Sequence, residues 1–254
     1  MPENKEYQVA AYPSRHLAIW LDFLIPIALL ALFAIFVDAK ALDLSISSRW
    51  YHSELGWPWG KNLFCELIYK YGTWPALGVA IYGLYAFIRS FFDARFKGRR
   101  KIFLYLVLVM IIGPGLVVNT ALKQQWGRPR PRRIQEFGGK HRYEAPWQMD
   151  KSSPGNSFPS GHASMGFYFI TLHFLSRRKG WRKSFWIGLL AIAWGAVIGL
   201  VRIMQGGHFF TDVLWSLAIV WFISALLYYS MGLHKEPLIL STTIKQDDNP
   251  TSSS

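Results

Sequence analysis

A short stretch between two long apolar runs carries three residue types that can act on a phosphate group. Arg202 is a fixed cation, and His208 and Asp212 are four residues apart. Residues four apart share a helix face, so a helix beginning at or just before His208 lets Asp212 accept a hydrogen bond from one imidazole nitrogen. The other nitrogen is then unprotonated and can act as a nucleophile. In a simpler interpretation, His208 and Asp212 cap a helix and Arg202 extends to the membrane surface.

The elements that must position these residues are apolar. Six runs are close to the roughly 20 residues that a helix needs to cross a bilayer. They predict an all-α, polytopic membrane protein, a six-transmembrane-helix bundle over residues 17–233 with its active site at the outer membrane interface. The first run contains Asp22 and ends without a small-residue cleavage site, which indicates a retained helix and not a removed signal peptide. The predicted spans are about 17–37, 74–92, 102–122, 160–176, 185–204 and 209–231.

Two other polar stretches lie at the ends of predicted spans. The third span ends at Lys123, with Arg130 shortly after it, and the fourth begins with Ser160-Gly161-His162. Because consecutive spans alternate direction, both stretches lie on the same side of the membrane as the first one. Three cations and the free N–H groups of a helix start match the spread charge of a phosphoryl group better than that of a carboxylate. Two histidines suit a nucleophile and a proton donor.

Basic loops set the predicted orientation. The loops after the second and fourth spans are strongly basic, so by the positive-inside rule they are cytoplasmic. Segment 1–16 and the polar tail 234–254, which we expect to be disordered, then lie in the cytoplasm too. The active site faces the periplasm or the outside of a bacterial inner membrane. The third connection, 123–158, is also basic but lies on the outer side, where we expect it to bind a polyanion.

Composition excludes several other classes. The net charge of +13 comes from 28 Lys and Arg against 15 Asp and Glu, but the basic residues occupy short loops between apolar runs. We therefore predict no nucleic-acid partner. Cys65 is the only cysteine, which excludes an internal disulfide and a cysteine zinc site. Nothing indicates an obligate protein partner; the expected partners are the bilayer and a phosphorylated membrane lipid.

The motifs together resemble the type-2 phosphatidic acid phosphatase superfamily, which shares its core with the vanadium haloperoxidases. The residues that carry the resemblance, which covers about 103–221, are Lys123, Arg130-Pro131, Pro159-Ser160-Gly161-His162, Arg202, His208 and Asp212. One position departs from the family pattern, because Val201 stands where a serine usually precedes the arginine. We expect this to remove one phosphate hydrogen bond, worth about 1 kcal/mol, without abolishing activity.

The resemblance implies a metal-independent lipid phosphatase that needs no cofactor and works through a phosphohistidine. It implies that His208 attacks phosphorus and that Asp212 holds the productive tautomer. It also implies that His162 protonates the leaving oxygen and then activates water. The residues alone do not decide which histidine is the nucleophile. The groups implied to hold the phosphate oxygens are Lys123, Arg130, Ser160, the N–H of Gly161, and Arg202.

The predicted substrate is a phosphate monoester or diphosphate on a membrane lipid, because a site at the bilayer edge admits a headgroup while its tails stay in hydrocarbon. Lipid A, undecaprenyl diphosphate and phosphatidylglycerol phosphate are candidates, and the basic third loop favours lipid A. One alternative is a lipid phosphotransferase that uses the same covalent step. Another is a non-catalytic phospholipid-binding or transport protein, although such a protein needs the cations and not the histidines.

Four further expectations concern residues outside the motifs. His173 lies within a span, where we expect it to pack or hydrogen-bond to a neighbouring helix. Arg128, like Arg132 and Arg133, is equally consistent with binding further phosphate or lipid headgroups. Segment 137–143 fits a lid, a recognition loop or a plain surface loop. Small residues at 191, 195 and 199 predict the close approach of another helix.

Overall fold

The computed structural model describes residues 15–150, 153 and 155–235. All secondary-structure elements within these residues are helices, and there is no β-strand among them. The expectations for the cytoplasmic N-terminal segment and the disordered tail concern residues that lie almost entirely outside this range. A π-helical segment, Ile111–Leu122, joins α6 to α7. The helices are α1 (Arg15–Phe36), α2 (Ala39–Ser48), α3 (Leu63–Tyr71), α4 (Trp74–Arg89), α5 (Ala94–Lys97), α6 (Arg100–Met110), α7 (Lys123–Gln125), α8 (Gly161–Phe167), α9 (Ile170–Ser176), α10 (Trp181–Met204) and α11 (Phe210–Ser230).

Four helical stretches in the described part of the chain are long and apolar enough to cross a membrane: Ile19–Phe36, Arg100–Gln125, Trp181–Met204 and Phe210–Ser230. The other two predicted spans correspond to α4, which has 16 residues, and to the consecutive α8 and α9. Their lengths fall short of a full crossing as single helices. The all-helical membrane fold is therefore confirmed, while the count of six spans stays a prediction.

The core lies around α8 and α9. Phe167, Tyr168, Ile170 and Phe174 are almost completely buried there. Helix α10 packs along both α8 and α9, α11 packs against α8, and α4 packs against α6. Apolar side chains on the outer faces of α1, α4 and α10 remain exposed, as expected for surfaces that contact lipid.

The predicted small-residue stripe allows α8 and α10 to approach closely. A Cβ atom on Gly166 would lie 2.7 Å from the Cα of Gly195, and a Cβ on Gly195 would collide with the ring of Phe167. Gly199 makes the corresponding contact with Val213 of α11. The close approach predicted from the spacing is confirmed. These contacts set the positions of α8 and α11 along the axis of α10.

Polar groups within the bundle join α1 and α9 to their neighbours. Asp22 of α1 accepts a hydrogen bond from Arg177 Nη2 at 2.6 Å, and its backbone carbonyl accepts one from Trp221 Nε1 at 2.9 Å. His173 donates from Nδ1 to the carbonyl of Ser184 on α10 at 2.8 Å, since a carbonyl can only accept. The expectation that His173 bonds to a neighbouring helix is confirmed.

A second, smaller apolar cluster lies beneath the polar loops and joins three segments of the chain. Its buried members are Ile134, Phe137 and Phe209, and Trp57 and Tyr143 pack around them. Segment 137–143 is therefore held at both ends by packing against the first connection and the start of α11. This cluster braces the loops that carry Arg130 and His208.

We expect Gly195→Ala to lower the free energy of unfolding by about 1–3 kcal/mol, because the added methyl group overpacks against Phe167. The matched control is Gly78→Ala on α4, where an added Cβ meets no atom within 4 Å. The control should be neutral, or up to about 1 kcal/mol stabilising through helix propensity. Thermal unfolding in detergent measures both. Equal midpoints for the two variants would contradict the proposed close contact.

Candidate active site

The structure brings the three predicted stretches together at one end of the bundle. Lys123 begins α7, and Arg202 lies in the last turn of α10. A Cβ atom on Gly161 would lie 3.1 Å from Lys123 Nζ, which places that ammonium directly at the start of α8. Lys123, Arg130, Arg202 and His208 all lie within electrostatic range of His162. Residues more than 80 positions apart in the sequence therefore share one site.

The start of α8 is shaped by Ser160 and Gly161. Ser160 is fully buried, and its Oγ accepts a hydrogen bond from the N–H of Ala163 at 3.4 Å, capping the helix. Any side chain at Gly161 would collide with Asn119 Oδ1, the same oxygen that accepts a hydrogen bond from Lys123 Nζ at 3.3 Å. A glycine here leaves the helix start and the lysine adjacent to one another.

Two guanidinium groups at the site each have a donor that no atom of the described residues satisfies. The Nε atoms of Arg130 and Arg202 are buried and lack a hydrogen-bond partner within the described part of the chain. Arg202 is 5% exposed, and it contacts Gln205 and the ring of Tyr69. Arg202 therefore does not extend to the membrane surface, contrary to the simpler interpretation of the sequence. Buried unsatisfied donors are costly, and a bound oxyanion can supply the acceptors that they lack.

His208 precedes α11, which begins at Phe210, because Gly206 adopts a left-handed φ of 59° and turns the chain away from α10. The helix therefore does not include His208, and the condition under which His208 and Asp212 would share one helix face is not met. The imidazole is 1% exposed, and its Nδ1 lies 2.6 Å from the carbonyl oxygen of Ser157. A carbonyl accepts but cannot donate, so Nδ1 carries the proton and Nε2 keeps its lone pair. Burial lowers the pKa of His208 to about 4, so the imidazole is neutral at physiological pH.

Asp212 supports this arrangement less directly than the spacing predicts. Its nearest carboxylate oxygen lies 3.6 Å from His208 Nδ1, which is within ion-pair range but too long for a hydrogen bond. That oxygen instead accepts hydrogen bonds from Ser157 Oγ at 2.6 Å and from the N–H of Phe209 at 2.8 Å. Asp212 therefore caps α11 and holds Ser157, whose carbonyl orients His208. The direct hydrogen bond was the wrong expectation, because backbone acceptors leave no trace in a sequence motif.

Arg128 is a neighbour of Asp212, the carboxylate that lies next to His208. It is completely buried, and its guanidinium pairs with both Asp212 and Asp43, the latter at 2.8 Å. It also donates to Thr211 Oγ1 at 2.9 Å and to the carbonyl of Glu144 at 2.8 Å. The expectation that Arg128 binds phosphate or headgroups is wrong, because all of this side chain is enclosed by protein groups.

Asp43 lies on α2 and is distant in sequence from every motif. Its two oxygens accept hydrogen bonds from the N–H and the hydroxyl of Thr211, at 2.9 and 2.7 Å, and from the hydroxyl of Tyr143 at 2.8 Å. Burial raises the pKa of Asp43, and the adjacent Arg128 opposes that change. The sequence offered one faint signal for this residue, a carboxylate in an otherwise weakly polar segment, and we did not predict its role.

Two cavities adjoin the site and share one residue. A polar cavity of about 530 Å³ is lined by Lys123, Gln124 and Asn156 among others. A groove of about 520 Å³, lined chiefly by apolar side chains such as Leu77, Met110 and Met165, opens beside it. Asn119 borders both. Lys123 is thus the site cation that the polar cavity reaches, and Asn119 is the residue that this cavity shares with the apolar groove.

Comparison with known proteins shows the family to which the chain belongs. Residues 102–236, just over half of the chain, match the model of the PAP2 superfamily. The chain belongs to the PAP2 superfamily. It is 32% identical to the lipid A 4′-phosphatase of Francisella tularensis subsp. novicida (strain U112), over 74% of this chain and 86% of that protein. No solved structure shows a significant match.

Two further relatives carry the same name. The lipid A 4′-phosphatase of Rhizobium leguminosarum is 33% identical over 50% of this chain and 54% of that protein. That of Rhizobium etli (strain ATCC 51251 / DSM 11541 / JCM 21823 / NBRC 15573 / CFN 42) is 36% identical over 41% of this chain and 40% of that protein. Together with the PAP2 match, these relatives show that the chain is a membrane lipid phosphatase, as the motifs predicted. Asp43 and Tyr69 lie before the region that matches the PAP2 model.

We expect Arg128→Met to lower the free energy of unfolding by about 3–5 kcal/mol, because it leaves two buried carboxylates without their counter-charge. Phosphate release by any folded fraction should fall by at least about a hundredfold, since Asp212 is no longer held in place. The control is Arg142→Met, an exposed arginine in the same connection. Denaturant unfolding in detergent and a phosphate assay report the two effects. Wild-type stability for Arg128→Met would rule out the buried bridge.

Proposed function

We propose that this PAP2 phosphatase removes the 4′-phosphate of lipid A by transferring it to His208 and then to water. The observation that carries the proposal is the fixed tautomer of His208 beside three cations. Its Nδ1 proton is committed to the Ser157 carbonyl, so Nε2 is a neutral nucleophile. The relatives named lipid A 4′-phosphatases support the choice of lipid.

In the first proposed step, Nε2 of His208 attacks phosphorus and an N–P bond forms. The bond from phosphorus to the sugar oxygen breaks, and His162 in its imidazolium form donates a proton to that oxygen and becomes neutral, so the lipid leaves as an alcohol. The negative charge of the bound phosphate favours this imidazolium form. The negative charge on the transferring oxygens is met by Lys123, Arg130 and Arg202. Ser160 and the N–H of Gly161 are placed at the helix start to donate to the same oxygens.

In the second proposed step, His162 is neutral and its free ring nitrogen accepts a proton from a water molecule. The water oxygen attacks phosphorus, the N–P bond breaks, and inorganic phosphate leaves. Both imidazoles then return to their starting protonation states. Throughout the cycle the imidazole of His208 gains positive character whenever the N–P bond is present, and Asp212 lies 3.6 Å from its Nδ1 to stabilise that charge.

The surroundings of the site support a lipid substrate of the predicted class. The polar cavity beside Lys123 suits a phosphorylated sugar, and the adjoining groove lined by Leu77 and Met165 suits an acyl chain. Exposed Arg132 and Arg133 lie at the rim, where they can bind further negative charge of a multiply phosphorylated headgroup. We further propose that the chain lies in a bacterial inner membrane with this site facing outward, on the strength of the basic loops after the second and fourth predicted spans.

We expect purified protein in detergent to release phosphate from lipid A with a higher kcat/KM than from undecaprenyl diphosphate, phosphatidylglycerol phosphate or phosphatidic acid. Mass spectrometry of the lipid product should show the phosphate missing from the 4′ position. His208→Ala should abolish release, while His52→Ala, which removes an exposed histidine, should keep wild-type activity. Full activity in His208→Ala would refute the covalent mechanism. Transfer of phosphate to an added lipid alcohol in preference to water would indicate a phosphotransferase.

We also expect hydrolysis to continue in excess EDTA, because three protein cations supply the charge that a metal ion provides in other phosphatases. Vanadate should inhibit competitively, since it can form a five-coordinate species bonded to Nε2 of His208. Both are measured as initial rates of phosphate release. Loss of activity on chelation, restored by a divalent ion, would mean that the cations are not sufficient.

A further inference from the structure

Tyr69 lies on α3, in the part of the chain before the PAP2 match. Two contacts hold α3 next to the site. Asn62 caps α3 by accepting the N–H of Cys65 at 2.8 Å. Cys65 is completely buried, with its Sγ 4.0 Å from Met204 Sδ at the end of α10. This contact fixes α3 beside the turn of α10 that carries Arg202.

The ring of Tyr69 contacts two of the proposed active-site groups. It stacks on the imidazole of His162, with centroids 4.8 Å apart and planes inclined by 19°. The guanidinium carbon of Arg202 lies 4.5 Å from the centroid of the same ring. Stacking of this kind limits rotation of the imidazole, and a cation near an aromatic face is attracted by the ring quadrupole.

His162 has few other restraints on its orientation. It lies in the first turn of α8, and no hydrogen bond to its ring nitrogens is recorded within the described part of the chain. This differs from His208, whose Nδ1 is bonded to a carbonyl. The face of Tyr69 is therefore the principal contact that sets the plane of the His162 imidazole.

We propose that Tyr69 is a positioning residue for proton transfer to the leaving group, acting through His162 and, secondarily, through Arg202. The inference rests on the proposed function, in which His162 protonates the departing sugar oxygen. A stacked imidazole keeps its nitrogen in line with that oxygen. A freely rotating imidazole spends most of its time in other orientations, and its contribution to the rate falls accordingly.

The role of a proton donor depends on the leaving group, which gives a test that a purely structural role would not satisfy. A sugar alkoxide is a strong base and needs protonation as it leaves. A nitrophenolate is a weak base and leaves without it. A change that misplaces the proton donor therefore slows hydrolysis of lipid A far more than hydrolysis of 4-nitrophenyl phosphate. The comparison uses kcat/KM, which includes the first phosphoryl transfer but not the later hydrolysis of the phosphohistidine.

The experiment compares purified full-length variants on both substrates. Tyr69→Leu removes the ring, and Tyr69→Phe keeps it. Tyr71→Leu is the matched control, because Tyr71 lies on the same helix, is similarly exposed, and packs on Trp74 at 5.1 Å and not on the site. His162→Ala shows the full effect of losing the proton donor.

We expect Tyr69→Leu to lower kcat/KM for lipid A by about tenfold or more, and that for 4-nitrophenyl phosphate by less than about threefold. Tyr69→Phe should restore most of the lipid A value, and His162→Ala should show the same selective loss as Tyr69→Leu, only larger. Equal losses on both substrates, or no loss on lipid A, would overturn the inference. If wild-type protein hydrolyses neither substrate, the proposed function fails and not the role of Tyr69 alone.

Discussion

The site depends on two buried ion pairs that were not visible in the motifs, which Arg128 makes with Asp212 and with Asp43. This guanidinium joins three parts of the chain, since Arg128 lies in the third connection, Asp43 on α2 and Asp212 on α11. Burying such charges is costly, and it is tolerated here because the additional donors and acceptors, Thr211, Tyr143 and the Glu144 carbonyl, satisfy the remaining bonds. The bridge holds Asp212 in place, and Asp212 in turn accepts a hydrogen bond from Ser157, whose carbonyl orients His208.

Charges of opposite sign are separated across His208. On the side of the proposed phosphate lie Lys123, Arg130 and Arg202, and behind the imidazole lie two carboxylates that share one arginine. Phosphoryl transfer to a neutral imidazole places negative charge on the oxygens and positive character on the ring. The arrangement is complementary to both at once, and because partly and fully buried groups from several segments of the chain form it, it exists before a substrate arrives.

The motifs predicted which residues meet, but not how they are held. Lys123, Ser160 and Arg202 could be placed on one side of the membrane because alternating spans fix the side of each loop. The hydrogen bond from His208 to Ser157 could not be predicted, because any residue supplies a carbonyl. Arg128 looked like a surface arginine, since its partner Asp43 is 85 positions away and belongs to no motif. Tyr69 was one aromatic residue in a segment rich in them. The count of six spans also rests on hydropathy, with α4 and the α8–α9 pair shorter than the rest.

Helices α2 and α3 lie outside the PAP2 match, and this matters for the evolution and engineering of the enzyme. The portion of the chain that matches the PAP2 model begins at residue 102, yet a carboxylate and an aromatic ring at its centre come from upstream. The recognisable module is therefore not self-sufficient. A chimera that joins residues 102–236 to the amino-terminal helices of another phosphatase would keep every signature motif and Asp212 but would lose Asp43, one of the two carboxylates that pair with Arg128. Substitutions in α2 and α3 would therefore change the surroundings of Arg128 and His162 while every signature motif stays the same.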